Sequence, residues 1–425
     1  MIKITENWAI KEFGDIVSIK CSKFDPKSQN ERRKCIELEH IEQQSGRIVG
    51  YTNTFESTST KNVFSKGDVL FGKLRPYLRK FAQAPFDGVC SSEIWVFTPQ
   101  KSIRNDFLYY LIQSDSFLDQ ANKSCGTKMP RADWKVVSKY NFLLPPLVEQ
   151  QKIAEVLSTV DKKIDLIDQK IAETEKLKIG LMQKLFSEGV GVQDENGNWQ
   201  PHTEFRTTSI GQVPKTWQDA QIGDYVSELV SGVSVNSYDK QKTENEIGVL
   251  KTSAVIGGNF YPEFHKTVKP EDIARAKTTV KENTLVISRM NTPSLVGEFG
   301  YVSKDYNDLY LPDRLWMTVP TSKPHDVKAL SYLMQHYPVK KSIKELATGT
   351  SNSMKNISKG KFLAVYVPHI PYEEQMMIRE ILSTVDMKLE LLNKQKAETQ
   401  QLKKGLMQKL LTGEWRVPVE ETEAA

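Results

Sequence analysis

The stretch from Pro146 to Leu185 occurs twice in this chain, and the second copy runs from Pro371 to Leu410. Both copies begin Pro-x-x-Glu-Gln, contain Leu-Ser-Thr-Val-Asp and end Gly-Leu-Met-Gln-Lys-Leu, at a constant separation of 225 residues. A repeat without an insertion over this length indicates one rigid element that is used twice.

Apolar residues recur in both copies at alternating steps of four and three, which predicts a long helix with the narrow seam of a coiled coil. The proline that opens each copy suits the first turn of a helix, where its missing N–H is not needed. A helix of about 37 residues would be about 55 Å long. The predicted seam residues are Ile153, Leu157, Val160, Ile164 and Ile167 in the first copy, and Ile378, Leu382, Val385, Leu389 and Leu392 in the second.

The apolar seam of either helix would be unfavourable if it were exposed to water, so we expect the two helices to pack against each other. A chain that leaves one helix, builds a globular domain and returns through the second helix favours an antiparallel pair. The alternative is two independent helices that pack on two separate domains. Lys396 makes the seam of the second copy less apolar than that of the first.

Composition is that of a soluble globular protein, with 39% hydrophobic, 26% charged and 9% aromatic residues in 425. This length predicts two to four domains. A net charge of +5 allows a nucleic-acid partner, but any such surface must come from local clusters. We find no secretory signal and no apolar run of membrane-spanning length. The scattered Cys21, Cys35, Cys90 and Cys125 favour free thiols and a cytoplasmic location.

The repeat extends beyond the helices, because Trp8 and the following Gly-Asp-x-Val-Ser phrase return at Trp217. We therefore predict an α+β protein with two mixed α/β globular domains, two long helices forming an antiparallel coiled coil, and an internal pseudo-two-fold repeat. The predicted segments are a first domain at 1–145, the first helix at 146–188, a linker with a hairpin at 189–213, a second domain at 214–370, the second helix at 371–414 and a tail at 415–425.

Each half contains a buried strand that runs into a polar loop, followed by a second strand with a tryptophan. We predict one short amphipathic helix after this strand in each half, at 106–118 and 327–337. A Gly-Thr loop and a last strand, at 140–144 and 362–367, then lead into the long helix. The residues Asp194-Glu-Asn-Gly-Asn198 predict the turn of the linker hairpin.

Catalytic signatures are missing from the sequence. There is no phosphate-binding Gly-rich loop and no paired metal-ligand spacing of His and Cys. We therefore predict a binding protein with no catalytic and no metal site, rather than an enzyme.

The polar loops are the candidates for DNA contact. Arginine pairs with guanine and asparagine with adenine in the major groove, whereas lysine mostly meets phosphate. The alternative for each residue is a solvated surface charge, but clusters at matched places in duplicated halves favour DNA. The candidates are Lys73, Arg75, Tyr77, Arg79, Lys80, Lys128 and Arg131 in the first half, and Arg289, Asn291, Thr292, Lys355 and Asn356 in the second.

The chain resembles the specificity subunit of type I restriction–modification systems over nearly its whole length. The resemblance rests on the Pro146 and Pro371 openings of the long helices, their Gly-Leu-Met-Gln-Lys-Leu ends, and the phrase from Gly211 to Trp217 that begins a target recognition domain. It implies that each globular half reads one part of a bipartite double-stranded DNA sequence.

The resemblance also implies partners. The paired helices would dock two methyltransferase subunits, which carry S-adenosylmethionine and methylate adenine after flipping it from the stack. A restriction and translocation subunit would join the complex. Since the halves differ in their loops, we expect an asymmetric target with unread bases between its parts. The alternatives are a related system whose methyltransferase and nuclease are fused in one partner, and a coiled-coil scaffold that binds proteins.

Overall fold

The computed structural model describes residues 7–19, 21–29, 31–54, 59–123, 129–349 and 354–418. The chain divides into two compact units. Unit 1 comprises 1–169 and 393–425, and unit 2 comprises 170–392. Each unit thus contains one globular domain, the first part of one long helix and the last part of the other.

The prediction of two long helices is confirmed. The first spans Leu147–Glu188 and the second Tyr372–Leu411. Each begins directly after the proline that opens its copy of the repeat. The shorter helices are Phe13–Ile16, Asn105–Leu111, Asp115–Asn122 and Trp134–Val137 in unit 1, and Val327–Gln335, Tyr337–Glu345 and Lys359–Leu363 in unit 2. Among the described residues no helix is long and apolar enough to cross a membrane.

The described residues of unit 1 form three sheets, which are antiparallel except for one parallel pair. A four-stranded sheet has the order Val17–Ser18, Ile94–Pro99, Val69–Gly72 and Phe81–Gln83. A five-stranded sheet has the order Lys23–Phe24, Lys61–Phe64, Gly88–Cys90, Lys34–Ile36 and Thr52–Asn53. Strand Ala9–Glu12 pairs with Asn141–Leu144, which brings the start of the domain to the start of the long helix.

Unit 2 repeats this plan, with six strands in place of four in the first sheet. A six-stranded sheet has the order Val226–Ser231, Leu315–Pro320, Thr284–Ser288, Phe299–Val302, Gly258–Phe260 and Val255–Ile256. A five-stranded sheet has the order Ser237–Tyr238, His265–Val268, Gly248–Leu250, Tyr306–Tyr310 and Thr279–Val280. The remaining pairs are Gln218–Gln221 with Tyr366–His369, Met290–Asn291 with Lys355–Asn356, Val192–Gln193 with Trp199–Gln200, and Phe205–Thr208 with Gly211–Pro214.

Three local predictions need comment. The hairpin around Asp194–Asn198 is confirmed by the strand pair at its base. Each short helix predicted after the second strand is instead two helices, because Ser114 caps a new helix in unit 1 and His336 separates two helices in unit 2. The strand predicted at 362–367 was wrong at its start, where a helix capped by Ser358 ends at Leu363 and the strand begins at Tyr366.

Two residues of the repeated helix make the same contacts in both units, namely the glutamate of Pro-x-x-Glu-Gln and the aspartate of Leu-Ser-Thr-Val-Asp. In unit 1, the indole of Trp8 donates to Glu149 at 3.0 Å, and Tyr110 donates to Asp161 at 2.9 Å. In unit 2, the corresponding distances are 2.7 Å from Trp217 to Glu374 and 2.6 Å from Tyr332 to Asp386. The glutamate and the aspartate of each repeat therefore hold the globular domain on its own helix.

In each unit, a lysine from the other long helix pairs with this aspartate. Lys403 pairs with Asp161 at 2.7 Å in unit 1, and Lys178 pairs with Asp386 at 2.7 Å in unit 2. A further pair in unit 1 joins Asp168 to Lys396 at 2.7 Å. Asp168 lies seven residues after Asp161, whereas its partner Lys396 lies seven residues before Lys403. The two helix segments of this unit are therefore antiparallel.

The seam residues lie in two separate cores. Ile153 and Leu157 are buried with Met407 and Leu410 in unit 1, while Ile378 and Leu382 are buried with Leu185 and Phe186 in unit 2. Ile167, Val385 and Leu392 are also buried, and Val160, Ile164 and Leu389 are half-buried. Every predicted seam residue is therefore at least partly shielded from water.

Acid should destabilise unit 2 through His336, which is buried beside Phe186 and has an Nδ1 without a hydrogen-bond partner among the described residues. Burial lowers the pKa of this imidazole from 6.5 to about 4. The unfolded chain then binds the proton first as pH falls, so stability is lost between about pH 6.5 and 4. The free energy of unfolding is expected to be about 2 kcal/mol lower at pH 5 than at pH 7. Urea unfolding at pH 7 and pH 5 should show it, and His336→Leu should reduce the difference; equal pH dependence in both proteins would contradict this prediction.

Candidate nucleic-acid interface

The first candidate loop follows the buried strand Val69–Gly72 and is bounded by two arginines in the left-handed region. Arg75 has a φ of 52° and Arg79 a φ of 51°, on either side of the 3₁₀ turn Pro76–Leu78. The ring of Tyr77 at the top of this turn is 53% exposed. We call residues Lys73 to Lys80 the first recognition loop.

This loop is joined to the segment that follows the Gly-Thr loop. The N–H of Arg75 donates to the carbonyl of Pro130 at 2.7 Å, and the N–H of Ala132 donates to that of Lys73 at 2.8 Å. Leu74 and Arg131 form a β-bridge between these two bonds. Two candidate clusters that are distant in sequence therefore form one surface.

Unit 2 joins the same two segments with the same backbone pattern. The N–H of Ile357 donates to the carbonyl of Arg289 at 3.0 Å, and Met290 lies opposite Asn356. We call residues Arg289 to Thr292 the second recognition loop. The backbone pairing places Lys73 at the position of Arg289, Arg75 at that of Asn291, and Arg131 at that of Asn356.

The candidate side chains of unit 1 differ in their freedom to contact a ligand. Among the described residues, Lys73, Arg75 and Tyr77 make no hydrogen bond or ion pair through their side chains. Lys80 instead donates to the carbonyl of Leu38 at 2.5 Å, and Arg79 pairs with Asp115 at 2.5 Å. Lys128 lies outside the described residues.

Arg131 is exposed and is held by Glu93, whose carboxylate accepts from its Nε at 3.0 Å. The hydrogen bond and the charge of Glu93 raise the pKa of the Arg131 guanidinium, which stays protonated in any case. The pair fixes the direction of the guanidinium, and the rest of that group remains exposed to solvent.

The second recognition loop uses more of its polar groups internally. Arg289 donates from Nε to the carbonyl of Asp313 at 2.8 Å and lies 6.0 Å from the ring of Trp316. Asn291 is buried and donates to Ser288 at 3.1 Å. Thr292 is exposed and hydrogen-bonds the hydroxyl of Ser294 at 3.2 Å.

The segment opposite this loop also differs in its two candidates. Lys355 donates to the carbonyl of Gly349 at 2.6 Å. Asn356 is half-buried, and its Oδ1 is buried without a hydrogen-bond partner among the described residues. A donor from a ligand could satisfy this oxygen, which keeps Asn356 among the candidates.

One arginine at this surface escaped the sequence analysis. Arg314 is exposed, and its side chain makes no ion pair among the described residues. Its carbonyl accepts from the N–H of Arg289 at 3.1 Å, just as the carbonyl of Glu93 accepts from that of Lys73 at 2.9 Å. Glu93 and Arg314 both lie two residues before the tryptophan of the second strand, so aligning the two tryptophans would have identified them.

Chemically, the two surfaces combine several kinds of hydrogen-bond donor. Guanidinium, ammonium, amide and phenol groups suit base edges and phosphates. Within the described ranges there is no cluster of three or more His, Cys, Asp or Glu residues that could hold a metal ion.

Comparison with known proteins identifies relatives of one kind. The family model described as "Type I restriction modification DNA specificity domain" matches residues 5–176 and again residues 214–401. A "Type I restriction enzyme MjaVIII specificity subunit" from Methanocaldococcus jannaschii is 28% identical over 78% of this chain and 75% of that protein. The "Type I restriction enzyme EcoDI specificity subunit" from Escherichia coli is 30% identical over 43% of this chain and 42% of that protein.

Solved structures show the same fold. A chain from a study of complex assembly and conformational transition of the type I R-M system has a TM-score of 0.58 at 19% identity, covering 97% of this chain and 100% of that one. The "Type-I restriction-modification system S subunit from M. genitalium" has a TM-score of 0.54 at 14% identity, covering 96% and 98%.

Proposed function

This chain belongs to the family of type I restriction modification DNA specificity domains, and from that premise we propose that it reads a bipartite, asymmetric sequence in double-stranded DNA. The chain itself supplies recognition, and its partners supply catalysis. Unit 1 reads one half of the target and unit 2 the other. The observation that carries this proposal is the matched backbone of the two recognition loops, which presents different side chains in the two units.

Different side chains on one frame are what an asymmetric target requires. At equivalent backbone positions unit 1 has Lys73, Arg75, Glu93 and Arg131, whereas unit 2 has Arg289, the buried Asn291, Arg314 and Asn356. Base edges in the major groove differ in their donors and acceptors, so two such sets select different bases. Their common frame lets both units approach DNA in the same way.

The two long helices set the distance between the half-sites. Ion pairs in unit 1 and in unit 2 follow one antiparallel register, which supports an antiparallel coiled coil along the helices. A helix of 42 residues is about 63 Å long. Since one turn of DNA is about 34–36 Å, a spacer of this length can serve two grooves one turn or more apart.

The same helices dock two copies of an adenine methyltransferase subunit. Two exposed leucines in unit 1, Leu166 and Leu402, are 57% and 52% exposed. Their repeat equivalents in unit 2, Leu391 and Leu177, are 56% and 50% exposed. Exposed leucines at equivalent repeat positions indicate two equivalent contacts, one for each copy of a partner.

Those methyltransferase subunits would carry S-adenosylmethionine and methylate the adenine that they flip from the duplex. A restriction and translocation subunit completes the complex. These reactions place the protein in the cytoplasm, where the host DNA is methylated.

Replacing Leu402 by Glu is expected to remove one methyltransferase copy, because a Leu side chain contributes about 1.5–3 kcal/mol when buried. Leu177→Glu should remove the other copy, and the double variant should remove both. Native mass spectrometry of the co-expressed complex measures the stoichiometry directly. Val192→Glu, on an exposed strand of the linker hairpin, is the control; two bound copies in every variant would contradict this docking site.

The proposed function is tested by sequencing methylated bases in the host genome with and without this gene. The expected result is the loss of one split, asymmetric motif with methylated adenine. If the gene is expressed with its partner methyltransferase and no such motif depends on it, the proposal is wrong.

A further inference from the structure

Unit 1 has a hairpin, Ile41–Ile48, that reaches from its five-stranded sheet towards the first long helix. A bridge between Ile41 and Ile48 closes it, and the N–H of Glu42 donates to the carbonyl of Arg47 at 3.0 Å. Gln44 and Gly46 turn the chain with φ values of 64° and 75°. We call this segment the anchor hairpin.

Arg47 joins the anchor hairpin to the first long helix. Its guanidinium donates to Asp165 at 2.5 and 3.2 Å and to Asp168 at 2.5 Å. Asp168 also forms an ion pair with Lys396 of the second long helix at 2.7 Å. Burial alone would raise the pKa of Asp168, but hydrogen bonds from Lys396 and Arg47 hold it below its usual value, so the network is charged at neutral pH.

The first recognition loop is tied to this network through Arg79. The carbonyl of Arg79 accepts from the N–H of Gln44 in the anchor hairpin at 3.0 Å. Its guanidinium pairs with Asp115, which lies 3.6 Å from Lys404 of the second long helix. The pairing with Arg79, aided by Lys404, lowers the pKa of Asp115.

Unit 2 has no equivalent connection among its described residues. The segment that follows its recognition loop is held by Lys344, whose ammonium donates to the carbonyl of Ser294 at 3.1 Å and pairs with Glu298. Lys344 belongs to the short helix Tyr337–Glu345. Glu390, which takes the place of Asp165 in the repeat, makes no ion pair with a described residue.

From this asymmetry we propose that Arg47 and Arg79 are positioning residues that fix the first recognition loop to the long helices. This inference rests on the proposed function. Neither residue reads a base. Instead, each sets the angle at which unit 1 presents Arg75 and Tyr77, and thereby the register of the first half-site against the spacer. Arg79 is thus assigned a supporting role in place of direct DNA contact.

The network should control tolerance of spacer length. Partly exposed ion pairs are individually weak, so the loss of two pairs to one guanidinium is expected to reduce discrimination about 2- to 30-fold. Loosening unit 1 lets the complex reach a half-site displaced by one base pair, while the bases read in each half stay the same.

The test is methylated-base sequencing in cells that carry Arg47→Ala, or Asp165→Asn with Asp168→Asn, in the full chain with its natural partners. We expect both variants to methylate sites whose spacer is one base pair longer or shorter, about 2- to 30-fold more often relative to the cognate spacer than the wild type does. Arg47→Lys keeps the positive charge but loses the planar guanidinium that contacts both aspartates. Its tolerance of altered spacers should therefore lie between that of the wild type and that of Arg47→Ala. Glu390→Gln is the matched control and should preserve the wild-type spacer.

Three outcomes overturn the inference while the proposed function stands. These are an unchanged spacer preference in both variants, an equal fall of methylation at every spacer, which would show only lost stability, and the same relaxation in Glu390→Gln. If the wild type itself methylates no split motif, the proposed function fails, and the inference fails with it.

Discussion

Arg314→Ala is expected to relax the second half of the DNA target and to leave the first half as selective as before. Arg314 is the exposed arginine of unit 2 at the recognition surface, whereas Arg289 is held by the carbonyl of Asp313. One good bidentate contact discriminates against a wrong base by about 1–3 kcal/mol. We therefore expect preference for the cognate second half to fall about 5- to 150-fold.

Arg75→Ala should give the mirror result in the first half, because Arg75 is the exposed arginine of unit 1 without a side-chain partner among the described residues. The measurement is binding of the assembled complex to a set of duplexes with single base changes in either half. Arg33→Ala, which removes an ion pair with Glu31 and a contact with the ring of Phe24, is the control. If Arg314→Ala weakens all duplexes equally and lessens the salt dependence of binding, Arg314 contacts phosphate and does not read a base.

The long helices could be predicted from the sequence because their seam is a local pattern with a period of 3.5 residues. The same pattern missed how the centre of the seam is filled. Thr174 and Thr399 are buried there and hydrogen-bond the carbonyls of Lys170 and Gln395 in their own helices. These two threonines are thus satisfied inside their own helices, which no count of apolar residues reveals.

The sequence analysis could not identify contacts between residues that are distant in the chain. Glu149 meets Arg416, which is 267 residues away, and Glu374 meets His202 at 3.1 Å. The repeat identified both glutamates, but it could not say what binds them, since one partner is arginine and the other histidine. The same limit applies to the recognition loops, because Arg75 meets Pro130 through backbone atoms that any residue possesses.

The candidate residues show a second limit. Composition marks Arg79 and Arg75 as equal candidates for DNA contact, but Arg79 is paired with Asp115 and Arg75 has no such partner among the described residues. Charge in a loop therefore predicts a surface, whereas the choice of reading residues depends on which cations the fold itself neutralises.

Removing one heptad from each long helix is expected to shorten the spacer of the target by about 3 base pairs, because seven residues of helix span about 10 Å. The ion pairs Asp161–Lys403, Asp168–Lys396 and Lys178–Asp386 define which segments must be removed together. We expect the same register to continue between these pairs, so that residues 169–175 are matched with 389–395. Deleting both leaves every one of these pairs in place and shifts the seam by a whole heptad.

Binding to the original target should fall at least about 100-fold, because the two half-sites can no longer be engaged at once. Methylated-base sequencing of cells with the shortened protein would reveal the new motif, with both halves unchanged and the gap reduced. Deleting only 169–175 is the control, since it places Asp168 and Lys178 out of register with Lys396 and Asp386 and should abolish methylation altogether. An unchanged gap in the double deletion would mean that the helices do not measure the target, and the spacing would then have to come from the methyltransferase subunits.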